Sequence, residues 1–133
     1  MTMKKLALMF GMFSLIACTQ HNGPVVIATP KQKPSGDLMY MTALLRNARL
    51  AVDNGCLRIY PAGETGSYLA VFPYGYSVNA NRDGYTILDA SGRQWARTDG
   101  SRDIGGGEAS SIDAALFSDD LSKCSGPYWF VSP

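Results

Sequence analysis

The stretch RLAVDNGCLRIY, from Arg49 to Tyr60, decides how this chain reads. Apolar residues alternate with polar ones on both sides of Asp53-Asn54-Gly55, and a short Asn-Gly turn between alternating runs is the strongest local signal for a β-hairpin. It predicts one strand ending near Val52 and a second from Cys56 to Tyr60. Just upstream, Leu38, Met41, Leu45 and Ala48 fall at helical spacing, so Leu38–Leu45 reads either as strand or as one short helix.

Downstream, the same punctuation repeats. Pro61–Gly66 is a loop, SYLAVFP a strand, Asn81-Arg82-Asp83-Gly84 a turn before YTILDA, and Ser91-Gly92 a turn before the return strand RQWART. YWFVS near the C-terminus is aromatic and β-branched enough to close a sheet. SIDAALFSDDLS, Ser111 to Ser122, is the one candidate helix, with Ile112, Ala115, Leu116 and Leu121 on a shared face. Six short strands with turn signals roughly every ten residues indicate an all-β, mainly antiparallel domain: a small barrel or sandwich with one short helix before the last strand. An OB-like barrel is compatible with this order. Residues 37–133 form that single domain, and the length holds no second one.

Several residues invite a chemical reading. The one histidine, His21, lies outside the predicted domain, so histidine-based acid/base catalysis, a Ser-His-Asp or Cys-His arrangement and ordinary zinc ligation find no histidine inside it. Asp37, Glu64, Glu108, Asp119 and Asp120 are loop carboxylates that a glycosidase-type pair would need, but they read first as solvated charges. The chain is therefore expected not to be an enzyme and to carry no cofactor or metal. Gly105-Gly106-Gly107 lacks the Lys-Ser/Thr of a phosphate loop and reads as a tight corner or a place of positive φ. Asn79–Gly84 has the polar alternation and sixth-place glycine of a calcium loop, yet Ala90 stands where the bidentate carboxylate belongs. Asp99–Asp103 has the alternation alone, and both stretches read as turns.

Aromatic residues are the remaining surface candidates. In PYGY, Tyr74 and Tyr76 flank Gly75 beside Pro73, and alternation predicts that at least one ring faces out, as the candidate binding surface for protein or sugar.

The other end of the sequence says where the protein lives. Lys4-Lys5 is followed by LALMFGMFSLIA, Leu6 to Ala17, with no charge before Cys18. A basic start and a short apolar middle are the form of a secretory signal, and the run falls short of the roughly 20 residues of a membrane-spanning helix. Leu15-Ile16-Ala17-Cys18 resembles the lipobox of bacterial lipoproteins. The resemblance implies a signal peptide over residues 1–17, cleavage before Cys18 and acylation of its thiol. Two or three acyl chains anchor stably where a single one is marginal, each buried methylene contributing about 0.8 kcal/mol. Thr19, in place of the Asp that this family associates with inner-membrane retention, implies the outer membrane.

Residues 18–36 carry three prolines and few large side chains and read as a tether, although VVIA, Val25 to Ala28, is also a candidate edge strand. Once Cys18 is set aside, Cys56 and Cys124 are an even pair that an oxidising compartment lets bridge. Loss of Lys4 and Lys5 with the signal takes twelve basic residues to ten against eleven acidic ones, a net charge of −1. With no basic stripe, nucleic acid is not an expected partner. GCLRI, a VFP strand end, the DGYTILD hairpin and the GGG segment are also similar to small uncharacterised bacterial lipoprotein domains, a likeness that implies fold and no activity.

The expectation is thus a lipid-anchored cell-envelope protein with a non-catalytic protein-interaction or assembly role. The membrane is its partner through the anchor, and an envelope protein its partner through the domain. A glycan-binding module is the alternative. Inhibition of an envelope-directed enzyme is another, for which small disulfide-bonded lipoprotein barrels that inhibit lysozyme are a precedent; a carboxylate hydrolase ranks last.

Overall fold

Asn54 and Gly55 both take positive φ, 54° and 78°, which is what a two-residue primed turn demands of its central pair. A computed structural model of the chain describes residues 25–34 and 41–133. In it the turn joins β1 (Ala43–Asp53) to β2 (Cys56–Tyr60) in antiparallel register, with Arg49 opposite Tyr60 and Asp53 opposite Cys56. The alternation then sorts the side chains: Ala48, Leu50, Leu57 and Ile59 are fully buried, while Arg49 and Arg58 stand on the other face.

β1 serves two neighbours. Its second half pairs with β2 and its first half with β7 (Ser101–Ala109), and the register shifts between Leu45 and Ala48. Asn47 sits in that bulge at φ 48°, its N–H donating to Asp103 Oδ1 at 2.9 Å. A bulge bends a strand and sharpens its twist, and here it turns β1 from one partner to the other. β3 (Tyr68–Val71) pairs with β2, and β8 (Tyr128–Val131) lies parallel to β3 and antiparallel to β7. The order β1-β2-β3-β8-β7 closes on itself as a barrel. β7 returns beside β1 after a long excursion, so that β7, β1, β2 and β3 lie side by side in a Greek-key order.

The excursion is a second sheet of β4 (Ser77–Asn81), β5 (Gly84–Leu88) and β6 (Gln94–Arg97), all antiparallel. Val78, Ile87 and Ala96 are cross-strand neighbours and pack with Phe72, Tyr76 and the barrel residues Leu50, Leu57, Ile59 and Ile104 in one core. A second core, containing Ala28, Leu69, Val71, Phe117, Leu121 and both cysteines, packs on the other face of β3, whose Leu69 and Val71 alternate with Ala70 of the first core.

Four expectations need correction. Among the described residues there are eight strands, because SVNAN and SRDIGGGEA are β4 and β7. Gly105–Gly107 accordingly lies within a strand: the corner fails, while the alternative reading, positive φ, holds at Gly106. Glycine is needed at Gly106 because φ is 149° and a Cβ there would lie 1.8 Å from the Phe130 carbonyl oxygen of β8. The helix over Ser111–Ser122 contracts to one 3-10 turn, Ala114–Leu116, capped by the Asp113 carboxylate on the Ala115 N–H, and Leu116 is 61% exposed. So short a helix is marginal without tertiary support, and here the backbone is used elsewhere: Lys31 N–H donates to Leu116 O at 2.8 Å and Ser118 N–H to Thr29 O at 3.1 Å.

The fourth correction concerns residues 18–36. Val26 bridges to Cys56, Ala28 to Val71 and Pro30 to Phe117, and Ile27, Ala28 and Thr29 are buried. Of the two readings of VVIA, the structure has the edge segment. Val25, Val26 and Ile27 are strand-formers and outweigh the proline count, so the domain begins before residue 37. Cys18 and His21, with the whole segment 1–17, lie outside the described residues, as does Asp37. Among the described residues no helix is long and apolar enough to cross a membrane.

Candidate functional site

Cys56 opens β2, and Cys124 ends the long connection from β7 to β8; a disulfide joins them with a Cα separation of 5.7 Å. The bond lays that connection against the β1–β2 turn, and Arg58 reinforces it. Its guanidinium donates to Ser67 Oγ at 2.6 Å, to Ser67 O at 3.1 Å and to Ser125 O at 2.7 Å. Val26 completes the junction from the other side, its N–H donating to Gly55 O at 2.7 Å.

A cleft of about 720 Å³ opens at this junction, within the range of ligand pockets. Val25, Val26 and Val52 form its apolar wall, Tyr85 of β5 stands at one side, and Asn54, Asp120, Ser122 and Lys123 bring polar groups. The Asp120 carboxylate accepts the Ser122 N–H at 2.9 Å. That backbone hydrogen bond, with the Ser122 side chain, holds its pKa below the ordinary value. Asp120 and Lys123 thus both line one opening, and their charges sum to none. This can hold a mixed polar and apolar chain by hydrogen bonds. It offers little to a polyanion.

A second, shallower cleft of about 540 Å³ runs along β6 and the start of β7, past Trp95, Arg97, Ser101 and Arg102. Arg102 occupies it: the guanidinium lies 4.2 Å from the centre of the Trp95 ring and donates to Trp95 O. The Arg49 guanidinium likewise lies 4.7 Å from the centre of the Tyr60 ring. Each of these rings gives one face to a cation.

Tyr74 and Tyr76, proposed together from PYGY, are not one surface. Gly75 takes φ 85° and the Tyr76 N–H donates to Pro73 O at 3.3 Å, a turn that sends the two rings apart. Tyr74 is 43% exposed, whereas Tyr76 is 8% exposed, stacked on Phe72 at 5.7 Å and edge-on to Trp95 at 6.2 Å. Burial raises the Tyr76 pKa above 10, and the Asp89 carboxylate adds to the rise. Tyr76→Ala is therefore expected to lower stability by about 3–4 kcal/mol through the core cavity, and Tyr74→Ala by under about 1 kcal/mol. Urea unfolding of the two variants checks the difference, and equal losses would contradict this packing.

The carboxylates spread out. Asp119 accepts the Ile27 N–H at 3.0 Å, Glu108 accepts the Tyr68 hydroxyl at 3.3 Å, and Asp120 is the one candidate carboxylate lining the larger cleft. Among the described residues no three histidine, cysteine or acidic side chains gather as a metal site. The calcium-like stretches are built into strands and turns. Asn81 bonds to Thr86 across the β4–β5 hairpin, Asp99 lies 3.7 Å from Arg49, and Asp103 holds the Asn47 N–H. Sequence reasoning did not foresee the larger cleft. The Asn-Gly turn and the cysteine pair mark two of its walls, but nothing local marks Tyr85 or Val25 as a third and fourth.

The chain matches no protein-family model, no curated protein sequence and no solved structure.

Proposed function

We propose that this protein is a lipid-anchored component of a bacterial cell envelope that acts by binding another protein, not by catalysis. The carrying observation is the distribution of thiols. Cys56 and Cys124 are consumed in one disulfide, leaving Cys18, at the end of an uncharged apolar run, as the third cysteine of the sequence. A disulfide suits an oxidising compartment, and a cysteine placed there suits acylation.

The binding role is supported by the cleft beside the disulfide, lined by an apolar wall and by four polar residues. A sugar site would call for open aromatic faces in a row, and the cations over Trp95 and Tyr60 take two such faces, leaving Tyr74 as the ring most exposed to solvent among the described residues.

Growth in labelled palmitate tests the anchor. The wild-type protein is expected to take up label and to float with membranes. Cys18→Ser is expected to lose the label, retain the signal segment and leave the disulfide intact on non-reducing gels. Label retained by Cys18→Ser would remove the basis of the reading.

A further inference from the structure

The three-stranded sheet is guarded along one edge and open along the other. At β6 the register with β5 shifts between Ile87 and Leu88, and the carbonyl of Trp95, which the shift leaves without a partner in β5, accepts from the Arg102 guanidinium. The exposed Arg97 adds a charge to the same strand. A bulge and charged side chains are what keep a strand edge from pairing with another chain. β4, at the other edge, has neither. Its sequence, SVNAN, holds no charge and no proline, and its register with β5 is unbroken from Ser77–Leu88 to Asn81–Gly84. Among the described residues it has no second neighbour.

The register also assigns the backbone groups on that edge. Asn81 and Gly84 flank the two-residue turn Arg82-Asp83 and so exchange both of their hydrogen bonds, and the alternation of an antiparallel ladder makes Asn79–Thr86 and Ser77–Leu88 hydrogen-bonded pairs as well. Val78 and Ala80 therefore direct their N–H and C=O away from β5, to the open edge. Val78 packs on the first core, with Ala80 on its side of the strand, while Ser77, Asn79 and Asn81 stand exposed on the other.

We infer that β4 is a self-pairing strand: two copies of the chain join antiparallel along it, about a two-fold axis at Asn79, and their two small sheets become one. SVNAN reads polar, apolar, polar, apolar, polar, the same from either end. In the register centred on Asn79, Val78 falls opposite Ala80 of the second copy and exchanges both hydrogen bonds with it. Ser77 falls opposite Asn81, and Asn79 opposite its own twin. Polar side chains thus meet polar ones and apolar meet apolar, and no like charges are set against each other. An unrelated strand has no need of that palindrome; a second copy does. The guarded β6 edge stops the assembly at two, giving the closed two-fold dimer that is the commonest soluble oligomer instead of a fibre. This pairing goes beyond the binding role proposed above: it is independent of acylation at Cys18, and none of the β4 residues lines either cleft.

The test is cysteine cross-linking of the full-length chain in cells, with copper phenanthroline as oxidant and non-reducing gels as readout. At the axis the two Asn79 Cα atoms form a non-hydrogen-bonded pair about 4.5 Å apart, within the roughly 4.4–6.8 Å that a disulfide spans. Asn79→Cys is expected to give a covalent dimer roughly tenfold above wild type, whose own Cys18, Cys56 and Cys124 set the background. Ser77→Cys, or Asn81→Cys, separates the equivalent cysteines of the two copies by four residues, roughly 13 Å, and each should stay at background alone. Expressed together they fall opposite one another and are expected to cross-link as Asn79→Cys does.

No dimer from Asn79→Cys above wild type, equal dimer from all three single variants, no gain on combining Ser77→Cys with Asn81→Cys, or Asn79→Cys joined only to a different protein would each overturn the inference. The mixed pair does not depend on how Asn79→Cys folds, so the register is tested twice.

Discussion

Gly106→Ala is expected to destabilise the domain by about 3–5 kcal/mol, the upper range for a single substitution. The added methyl would stand 1.8 Å from the Phe130 carbonyl oxygen and 2.7 Å from Trp129 Nε1. Neither neighbour can step aside, because both belong to β8, which is held on its other side by β3. The φ of 149° adds strain, since L side chains rarely adopt it. The adjacent glycine supplies the control. A Cβ at Gly105 meets nothing nearer than Ser132 Cβ at 3.7 Å, an ordinary contact. Gly105→Ala should therefore stay within about 1 kcal/mol of wild type, helped by the lower entropy of its unfolded chain. Denaturant unfolding of both variants decides the matter: equal effects would mean that the glycines are not there for the approach of β8.

The second large effect belongs to the disulfide. Cys56→Ala with Cys124→Ala is expected to lower unfolding free energy by about 4 kcal/mol, the chain-entropy figure for a loop of this length, the two cysteines being 68 residues apart. For a domain whose total stability is about 5–15 kcal/mol, this is a large share. Both cysteines are buried in the second core, so alanine, which leaves no unpartnered hydroxyl there, is the cleaner replacement than serine. Wild-type protein titrated with urea in the presence of a reductant should approach the double variant. An unchanged midpoint in either experiment would show that the connection is held by Arg58 and the buried segment Ile27–Thr29 without the covalent bond.

What the sequence disclosed follows physical lines. The β1–β2 hairpin was legible because the Asn54-Gly55 turn and the alternation on both sides are local, and each independently requires the same geometry. β3, β5, β6 and β8 were legible from their apolar and β-branched residues between turn signals. β4 was not: Ser77, Asn79 and Asn81 have low strand propensity, and the strand exists because Val78 and its neighbours pair with β5. β7 was hidden by its three glycines, which signal a break locally but here let β8 and Met41 approach. Tyr74 and Tyr76 look equivalent in PYGY because exposure is decided by the turn at Gly75, not by spacing. The cleft draws on residues near 25, 54, 85 and 122, and of these separations only the one spanned by Cys56 and Cys124 left a trace in the sequence.

The parallel pairing of β8 with β3 has a consequence for assembly. The keystone of the ring, Tyr128–Val131, is the last of the eight strands to leave the ribosome, and until it arrives the flanks of β3 and β7 have nothing between them. Hairpins can zip as they emerge, but the arch stands only when its final stone drops into place, so between the emergence of β7 and that of β8 the nascent chain shows two raw edges.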